Sequence, residues 1–301
     1  MVASKIAVVT GASSGIGAEL AVLLAEREYH VFAVARRAER LHDLRVRISR
    51  KGGQCTALPA DLSDYEQRER LIAALEPNAD EIDVLVNNAG FGTHGYFTET
   101  DLDRELELIE VNCSALVHLT KRILPWMQQR KGGYVLNLAS MAAFQPGPVM
   151  AMYYASKAFV LSLSQALSEE CAGTGVSVTA FCPGTIPTEF QETAGVAKSA
   201  PPAYATNMTA YEAAQIALDA MFAHKRVAVP GAKNKLAIFM NRFVPRRLAV
   251  HAVRKIQEAR LDRSEVRGLK PEENGAGGNR LLSKMKNLGT KAKGLSLRSK
   301  A

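Results

Sequence analysis

The sequence predicts a doubly wound α/β fold, about seven parallel strands in one sheet with helices on both faces. Three observations predict it. Short runs rich in Val, Ile and Leu alternate with longer stretches of helical period along the chain. The first six runs are largely apolar, as strands covered on both faces should be. And 301 residues, 47% of them apolar, are enough for one core of this kind.

Strands are expected at 5–10, 30–35, 54–60, 82–87, 133–139, 176–182 and 226–229, with helices between them, for example at 17–28, 102–130 and 153–172. Two segments break the alternation. Residues 185–207 contain Pro187, Pro201 and Pro202 with little apolar period and are expected to form a long loop or lid. After Pro230 come two short amphipathic stretches, 233–243 and 246–261. Residues 269–301 are poor in large apolar groups and rich in Gly, Lys and Ser, so a basic, disordered tail is expected there.

Charge is unevenly placed. From Lys225 onward there are 20 Lys and Arg against 5 Asp and Glu, a net +15, which leaves −7 of the whole-chain +8 for residues 1–224. An acidic body with a basic end suits contact with something anionic, or a solvated tail. The four cysteines form no Cys-x-x-Cys pair, and reduced thiols in a cytoplasmic protein are expected. The six histidines show no metal-ligand spacing, so no metal site is expected. A first strand beginning by Ile6 leaves no room for a signal peptide, and no apolar run approaches the roughly 18 residues of a membrane span.

The run Thr10-Gly11-Ala12-Ser13-Ser14-Gly15-Ile16-Gly17 lies between the first strand and the first helix. Gly11 permits a tight turn, Gly15 lets the backbone approach a pyrophosphate, and Gly17 allows close helix–sheet packing. Ser13, Ser14 and Ile16 complete a helix N-terminus whose free N–H groups suit an anion. The second strand ends Val34-Ala35-Arg36-Arg37, with no acid between Val31 and Ala38 to bind a ribose 2′-hydroxyl. Two guanidiniums suit a 2′-phosphate instead, so NADP(H) is expected rather than NAD(H). A solvated basic helix start is the plainer account of the same pair.

Four polar residues fall where buried strands end or helices should be apolar. Ser140 ends the fifth strand, at the carboxyl edge where α/β sheets bind ligands. Tyr153 follows thirteen residues later, with Lys157 at i+4 on the same helical face. Asn112 interrupts the apolar stripe Ile109, Leu116, Leu119 and Ile123. Hydride transfer to a carbonyl leaves an alkoxide that needs a proton, and a phenol of pKa near 10 exchanges slowly at neutral pH. An ammonium about 5 Å away, at an effective dielectric near 20, favours the phenolate by roughly 3 kcal/mol. Ser140 would orient the substrate oxygen, and Asn112 would anchor a water feeding the proton relay. Tyr154 faces about 100° away from Tyr153 and has no lysine at i+4, so it is read as packing.

With Thr10–Gly17, Asp61, Asn87-Asn88-Ala89-Gly90, Asn112, Ser140, Tyr153-x-x-x-Lys157 and Pro183-Gly184 in order, the sequence resembles the single-domain branch of the short-chain dehydrogenase/reductase family over roughly residues 5–230. The resemblance implies a Rossmann-type sheet, with residues 1–268 forming one dinucleotide-binding and catalytic domain. It implies that Asp61 and Leu62 hold the adenine edge and that Asn88, Ala89 and Gly90 support the adenosine. It further implies that Pro183, Gly184 and Thr188 border the nicotinamide, and that Lys157 and Tyr153 touch the cofactor as well as the substrate. A homodimer or homotetramer through the helices carrying Asn112 and Tyr153 is implied too.

The expected function is therefore NADP(H)-dependent interconversion of a lipophilic ketone or aldehyde and its alcohol, with Phe91, Phe144, Met150, Met152 and Phe190 as candidate pocket residues. A cofactor-binding regulatory or scaffold protein on the same fold is the alternative; the intact Asn112, Ser140, Tyr153 and Lys157 argue against it. No nucleic-acid partner is expected, since no aromatic follows Phe243 to stack bases. The stretch from Leu236 to Met240 with Phe243, set among Lys233, Lys235, Arg242, Arg246, Arg247, Arg254 and Lys255, suits peripheral contact with an anionic membrane. The competing reading is that these helices cover the substrate cleft and the oligomer edge.

Overall fold

The computed structural model describes residues 5–196 and 208–261. Strands β1 (Ile6–Thr10), β2 (His30–Ala35), β3 (Gln54–Pro59), β4 (Ile82–Asn87), β5 (Gly133–Leu138), β6 (Val176–Phe181) and β7 (Val227–Ala228) form one sheet in the order β3-β2-β1-β4-β5-β6-β7. Every pairing is parallel. The strands lie within the expected ranges. One expectation fails at the edge: β3 is half-exposed with both ends open, because only β2 pairs with it.

Period-two alternation builds two cores from one sheet. Ala7 and Val9 of β1 face the layer of α1 (Gly15–Ala25), α2 (Ala38–Ser49) and α8 (Ala210–Phe222). Ile6 and Val8 face the opposite layer, where α3 (Tyr65–Leu75) and α5 (Ala115–Gln129) lie. On that side α6 (Ala151–Glu170) packs on β6. The order reverses beside β1, so the turns after β1 and β4 open the crevice in which such sheets bind ligands.

The single helix expected over 102–130 is three pieces: α4 (Leu102–Ile109), a π-helical turn at Glu110–Ser114, and α5. Asn112 sits in that π turn, where the wider spacing turns the side chain inward. Within the expected lid, the chain forms a short helix, α7 (Phe190–Thr193), while 197–207 lie outside the described residues. The two amphipathic stretches are helices α9 (Ala232–Asn241) and α10 (Arg246–Glu258). The expected tail at 269–301 lies outside the described residues. No helix among those described is long and apolar enough to cross a membrane, and no His, Cys, Asp and Glu cluster there could hold a metal. The four cysteines are unpaired.

Candidate active site

The carboxyl ends of β1, β2, β4, β5 and β6 border one cleft of about 410 Å³. Its wall at the β1–α1 turn is backbone. Gly11 and Gly15 adopt φ of +64° and +55°, and a Cβ on Gly17 would lie 2.3 Å from the Gly11 carbonyl oxygen, so α1 could not start so close to β1 with any other residue there. The first N–H groups of α1 have no intrahelical acceptor and open on the cleft beside Ser13, Ser14 and Ile16. Thr188 overlies this turn, its methyl 3.2 Å from where a Cβ on Gly15 would be.

The β4 end is fastened to the same turn. Asn88 Nδ2 donates to the carbonyls of Thr10 and Gly11 at 2.9 and 3.2 Å, and the Asn88 and Ala89 N–H groups donate to Thr10 Oγ1. A buried relay, Asn87 to Asn137 to Ser164, ties β4 to β5 and α6. Of the residues expected to bind cofactor, Gly11, Ser13, Ser14, Gly15, Ile16, Arg36, Arg37, Asp61, Leu62, Asn88, Ala89, Gly90, Tyr153, Lys157, Pro183, Gly184 and Thr188 all border the cleft. Gly17 does not; it acts through close packing.

Both arginines at the end of β2 are engaged by carboxylates. Arg36 Nη1 lies 2.8 Å from Glu107 and 3.7 Å from Asp61; Arg37 Nη1 lies 2.9 Å from Glu189 and its other nitrogens donate to Ser13 Oγ. These half-exposed pairs hold weakly, and the guanidiniums beside Glu189 hold its carboxyl below the usual range. Glu107 and Glu189 have no local signal in the sequence, because the chain distance to their partners is long. Asp61 serves its own loop as well, accepting from the Ser63 N–H and hydroxyl.

At the other end, Ser140, Tyr153 and Lys157 converge on the cleft. Ser140 caps a 3-10 turn over Met141–Phe144, accepting from the Ala142 N–H, while the Met141 N–H donates to the Pro183 carbonyl. Lys157 is buried; its Nζ donates to the Leu138 carbonyl at 2.7 Å and lies 5.9 Å from the Tyr153 ring centroid. Burial lowers its pKa from 10.5 to about 8, partly offset by the thiols of Cys113 and Cys182. Those thiols are pushed up by burial, to about 11 and about 12, and are inert.

Two sequence expectations change here. Burial raises the Tyr153 phenol above its usual value and the hydrogen bond with Ser140 only partly offsets this, so Lys157 does not produce the expected lowering in the cofactor-free chain. The low-dielectric wall that desolvates Lys157 also penalises the phenolate. Asn112, 2% exposed, does not border the cleft: Oδ1 accepts from the Phe91 N–H while Nδ2 donates to the Phe91 carbonyl and Ser156 Oγ. Both amide hydrogens and one oxygen lone pair are engaged, which fastens the loop after β4 against α6.

Among the candidate pocket residues, Phe91, Met150 and Phe190 border the cleft; Phe144 and Met152 do not. Phe144 packs against the buried cluster that contains Leu116 and Val160, and its carbonyl accepts from Asn241 at the end of α9. Sequence reasoning missed Gln257 and Arg260, which reach the substrate end from α10 and the residues after it. Tyr154 is 3% exposed and packs in the core, but it also borders the cleft, its hydroxyl accepting from Gln257 Nε2 at 2.8 Å.

Residues 5–199 match the short chain dehydrogenase family. The chain belongs to that family. It is an oxidoreductase, and its Rossmann-type sheet is the family's. An uncharacterised oxidoreductase of Staphylococcus epidermidis is 31% identical over 191 residues, 64% of this chain and 82% of that protein. A short-chain dehydrogenase from Sphingobium yanoikuyae, solved with NADPH, is 32% identical with a TM-score of 0.70, covering 79% of this chain and 93% of that one. A bulky-bulky ketone specific alcohol dehydrogenase from Comamonas testosteroni is 28% identical with a TM-score of 0.69, covering 80% and 93%.

Proposed function

We propose that this short-chain dehydrogenase interconverts a lipophilic ketone or aldehyde and its alcohol, with NADP(H) as cofactor and Tyr153 as general acid and base. The observation that carries the reading is the convergence of Ser140, Tyr153 and Lys157 on the cleft that begins at the glycine turn. The cradle fits a dinucleotide: Gly11 and Gly15 hold the turn at positive φ on the cleft wall, and open N–H groups at the α1 terminus face it. When bound, the nicotinamide supplies or accepts the hydride.

The rest is done by the chain. Ser140 orients the substrate oxygen towards Tyr153. Burial holds the Tyr153 phenol above its ordinary pKa, which favours the neutral form that gives a proton to a forming alkoxide. Lys157, held by the Leu138 carbonyl, sets the charge beneath the ring, and Asn112 holds the loop over both. Arg36 and Arg37 would take a 2′-phosphate in place of Glu107 and Glu189, an exchange that costs little because these pairs are half-exposed. Phe91, Met150 and Phe190 supply the apolar wall that favours a lipophilic substrate.

Two surfaces support further partners. Leu102 and Leu106 on α4, Val117 on α5 and Phe159 on α6 are exposed, which suits packing of two copies through these helices. On α9 and the turn after it, Leu236, Phe239, Met240 and Phe243 form one exposed stripe at i, i+3, i+4 and i+7, which suits an anionic membrane surface.

Oxidation of NADPH, and of NADH in parallel, across a panel of ketones and aldehydes tests the reading. Turnover of an apolar carbonyl with preference for NADPH is expected. NADPH binding without turnover of any carbonyl or alcohol would leave the regulatory alternative instead.

A further inference from the structure

Arg260 is the outlying charge of the molecule. It is 6% exposed, it borders the cleft, and among the described residues no carboxylate lies within ion-pair distance. Its Nη1 donates to Gln257 Oε1 at 3.1 Å, while Nε has no partner. Arg68, equally buried and with its Nε likewise unpartnered, differs in having a carboxylate: its Nη1 meets Glu110 at 3.0 Å and the Leu62 carbonyl at 2.7 Å. A buried cation with no carboxylate beside it among the described residues is unfavourable, and burial lowers the Arg260 pKa.

The surroundings hold that charge in place. Gln257 is buried, donates to Tyr154 beside the catalytic tyrosine, and its carbonyl meets the His94 ring at 3.2 Å. Glu258 accepts from Tyr96 at 2.8 Å and fixes the end of α10 to the same loop. The carboxylates that border the cleft, Asp61 and Glu189, belong to the cofactor end, beside Arg36 and Arg37. The cleft lining also holds an apolar cluster to which Met150, Phe190 and Val196 belong.

We propose that the substrate is amphiphilic: an oxo acid with an apolar body, whose carboxylate is received by Arg260 at the end remote from the reacting carbon. The inference rests on the oxidoreductase reading above and names the class of its substrate. A planar guanidinium donates to both oxygens of a carboxylate through its fork, and one negative charge balances one positive charge, which a phosphate dianion would not. Gln257 then serves as a positioning residue, spending its Oε1 to aim the fork.

The test uses the full chain with NADPH and a ladder of straight-chain oxo acids, each beside its methyl ester. At the best chain length, kcat/KM for the acid should exceed that for the ester by about tenfold or more, the scale of one charge-assisted contact. Arg260→Met should collapse that acid-to-ester ratio, mainly through KM for the acid, and Arg260→Lys should restore part of it. Esters equal to or better than acids at every length in the native chain would overturn the proposal, whether or not the variants fold. A ratio unmoved in a folded Arg260→Met would overturn it too. If no carbonyl is turned over, the oxidoreductase reading fails separately, and thermal stabilisation of the NADPH-loaded chain decides here: dodecanoate should stabilise the native chain more than its methyl ester does, and equal effects would reject the Arg260 site.

Discussion

The two ends of the cleft are built on opposite principles. The cofactor end is backbone: glycines at β1, N–H groups at α1 and an asparagine that staples β4 to the turn, all fixed by the sheet. The substrate end is side chain: Tyr154 meets Gln257 across 103 residues of sequence, Tyr96 meets Glu258 across 162, and α7 and α10 supply the walls. The first is a device for any dinucleotide. The second is where one member of the family can differ from another, because helices after the sheet can change without disturbing it.

The largest expected effect lies at the junction of the two ends. Tyr153→Phe should lower turnover by about a thousandfold or more, consistent with the upper part of the usual range for a positioned acid, while NADPH affinity stays within about threefold. Tyr154→Phe should retain turnover and lose stability, about 1–2 kcal/mol, because Gln257 Nε2 loses its buried acceptor. Steady-state kinetics with cofactor titration separates them, and the reverse outcome would mean that α6 presents the other tyrosine to the substrate.

At the cofactor end, replacing Arg36 and Arg37 with Ala should weaken NADPH binding by about ten- to a hundredfold and leave NADH binding nearly as it was. Equal losses for the two cofactors, measured by calorimetry, would break the assignment of this end to a 2′-phosphate. The native Arg36–Glu107 and Arg37–Glu189 pairs make a sharper version available: Glu189→Gln should tighten NADPH, because the phosphate no longer competes with a carboxylate.

How far the sequence could be read follows the same division. The glycine turn, Ser140 and Tyr153-x-x-x-Lys157 are each written within a few residues at a strand end or on one helical face, so period and spacing reveal them. The strand positions follow for the same reason, being continuous apolar runs. The π turn at Glu110–Ser114 could not be read, since one extra residue in a helical turn leaves the apolar stripe nearly unchanged. Nor could Glu107, Glu189, Gln257 and Arg260, whose partners are brought to them only by the fold. Asn112 was legible as a buried polar residue but not by its use, which depends on the Phe91 backbone and Ser156.

Lys157 sharpens the contrast energetically, because it is the charge that the proposed chemistry calls for and the fold resists. Its pKa falls from 10.5 unfolded to about 8 folded, so between those values the unfolded chain binds more protons. Stability of the cofactor-free protein should therefore rise as pH increases through that window, and below about pH 8 the full cost, about 3 kcal/mol, is present. Lys157→Met should remove this slope and abolish turnover. At pH 7 the variant should be the more stable by up to about 2 kcal/mol, the rest being lost with the bond to the Leu138 carbonyl. Urea titrations at several pH values measure both, and a native chain with no slope above pH 8 would mean that Lys157 keeps its proton when buried.

The smallest expected effect concerns the outer face of the substrate end. On the inner face of α10, Gln257 borders the cleft and Val253 is buried in a cluster with Met150 and Tyr154, whereas the stripe on α9 is exposed. Leu236, Phe239, Met240 and Phe243 are each more than half exposed. Arg246 and Arg247 line a shallow groove with Val250, His251 and Arg254 just beyond, so the apolar stripe is bordered by positive charge. A second copy of the chain would find like charge there, whereas an acidic leaflet would find both its charge and its hydrocarbon boundary matched. Cutting the chain before α9 is a poor test, because it also removes Gln257 and Arg260 from the cleft. Phe239→Ser with Phe243→Ser keeps both helices' inner contacts and is the better variant. In liposome co-sedimentation the native chain should bind phosphatidylserine-rich vesicles at low salt, release as salt rises, and bind phosphatidylcholine vesicles weakly. The double variant should bind the acidic vesicles severalfold less while turning over a water-soluble carbonyl normally. Native protein that stays in the supernatant with acidic lipid at low salt would show that the two ends of the cleft differ only inward, and that the outer stripe serves another partner.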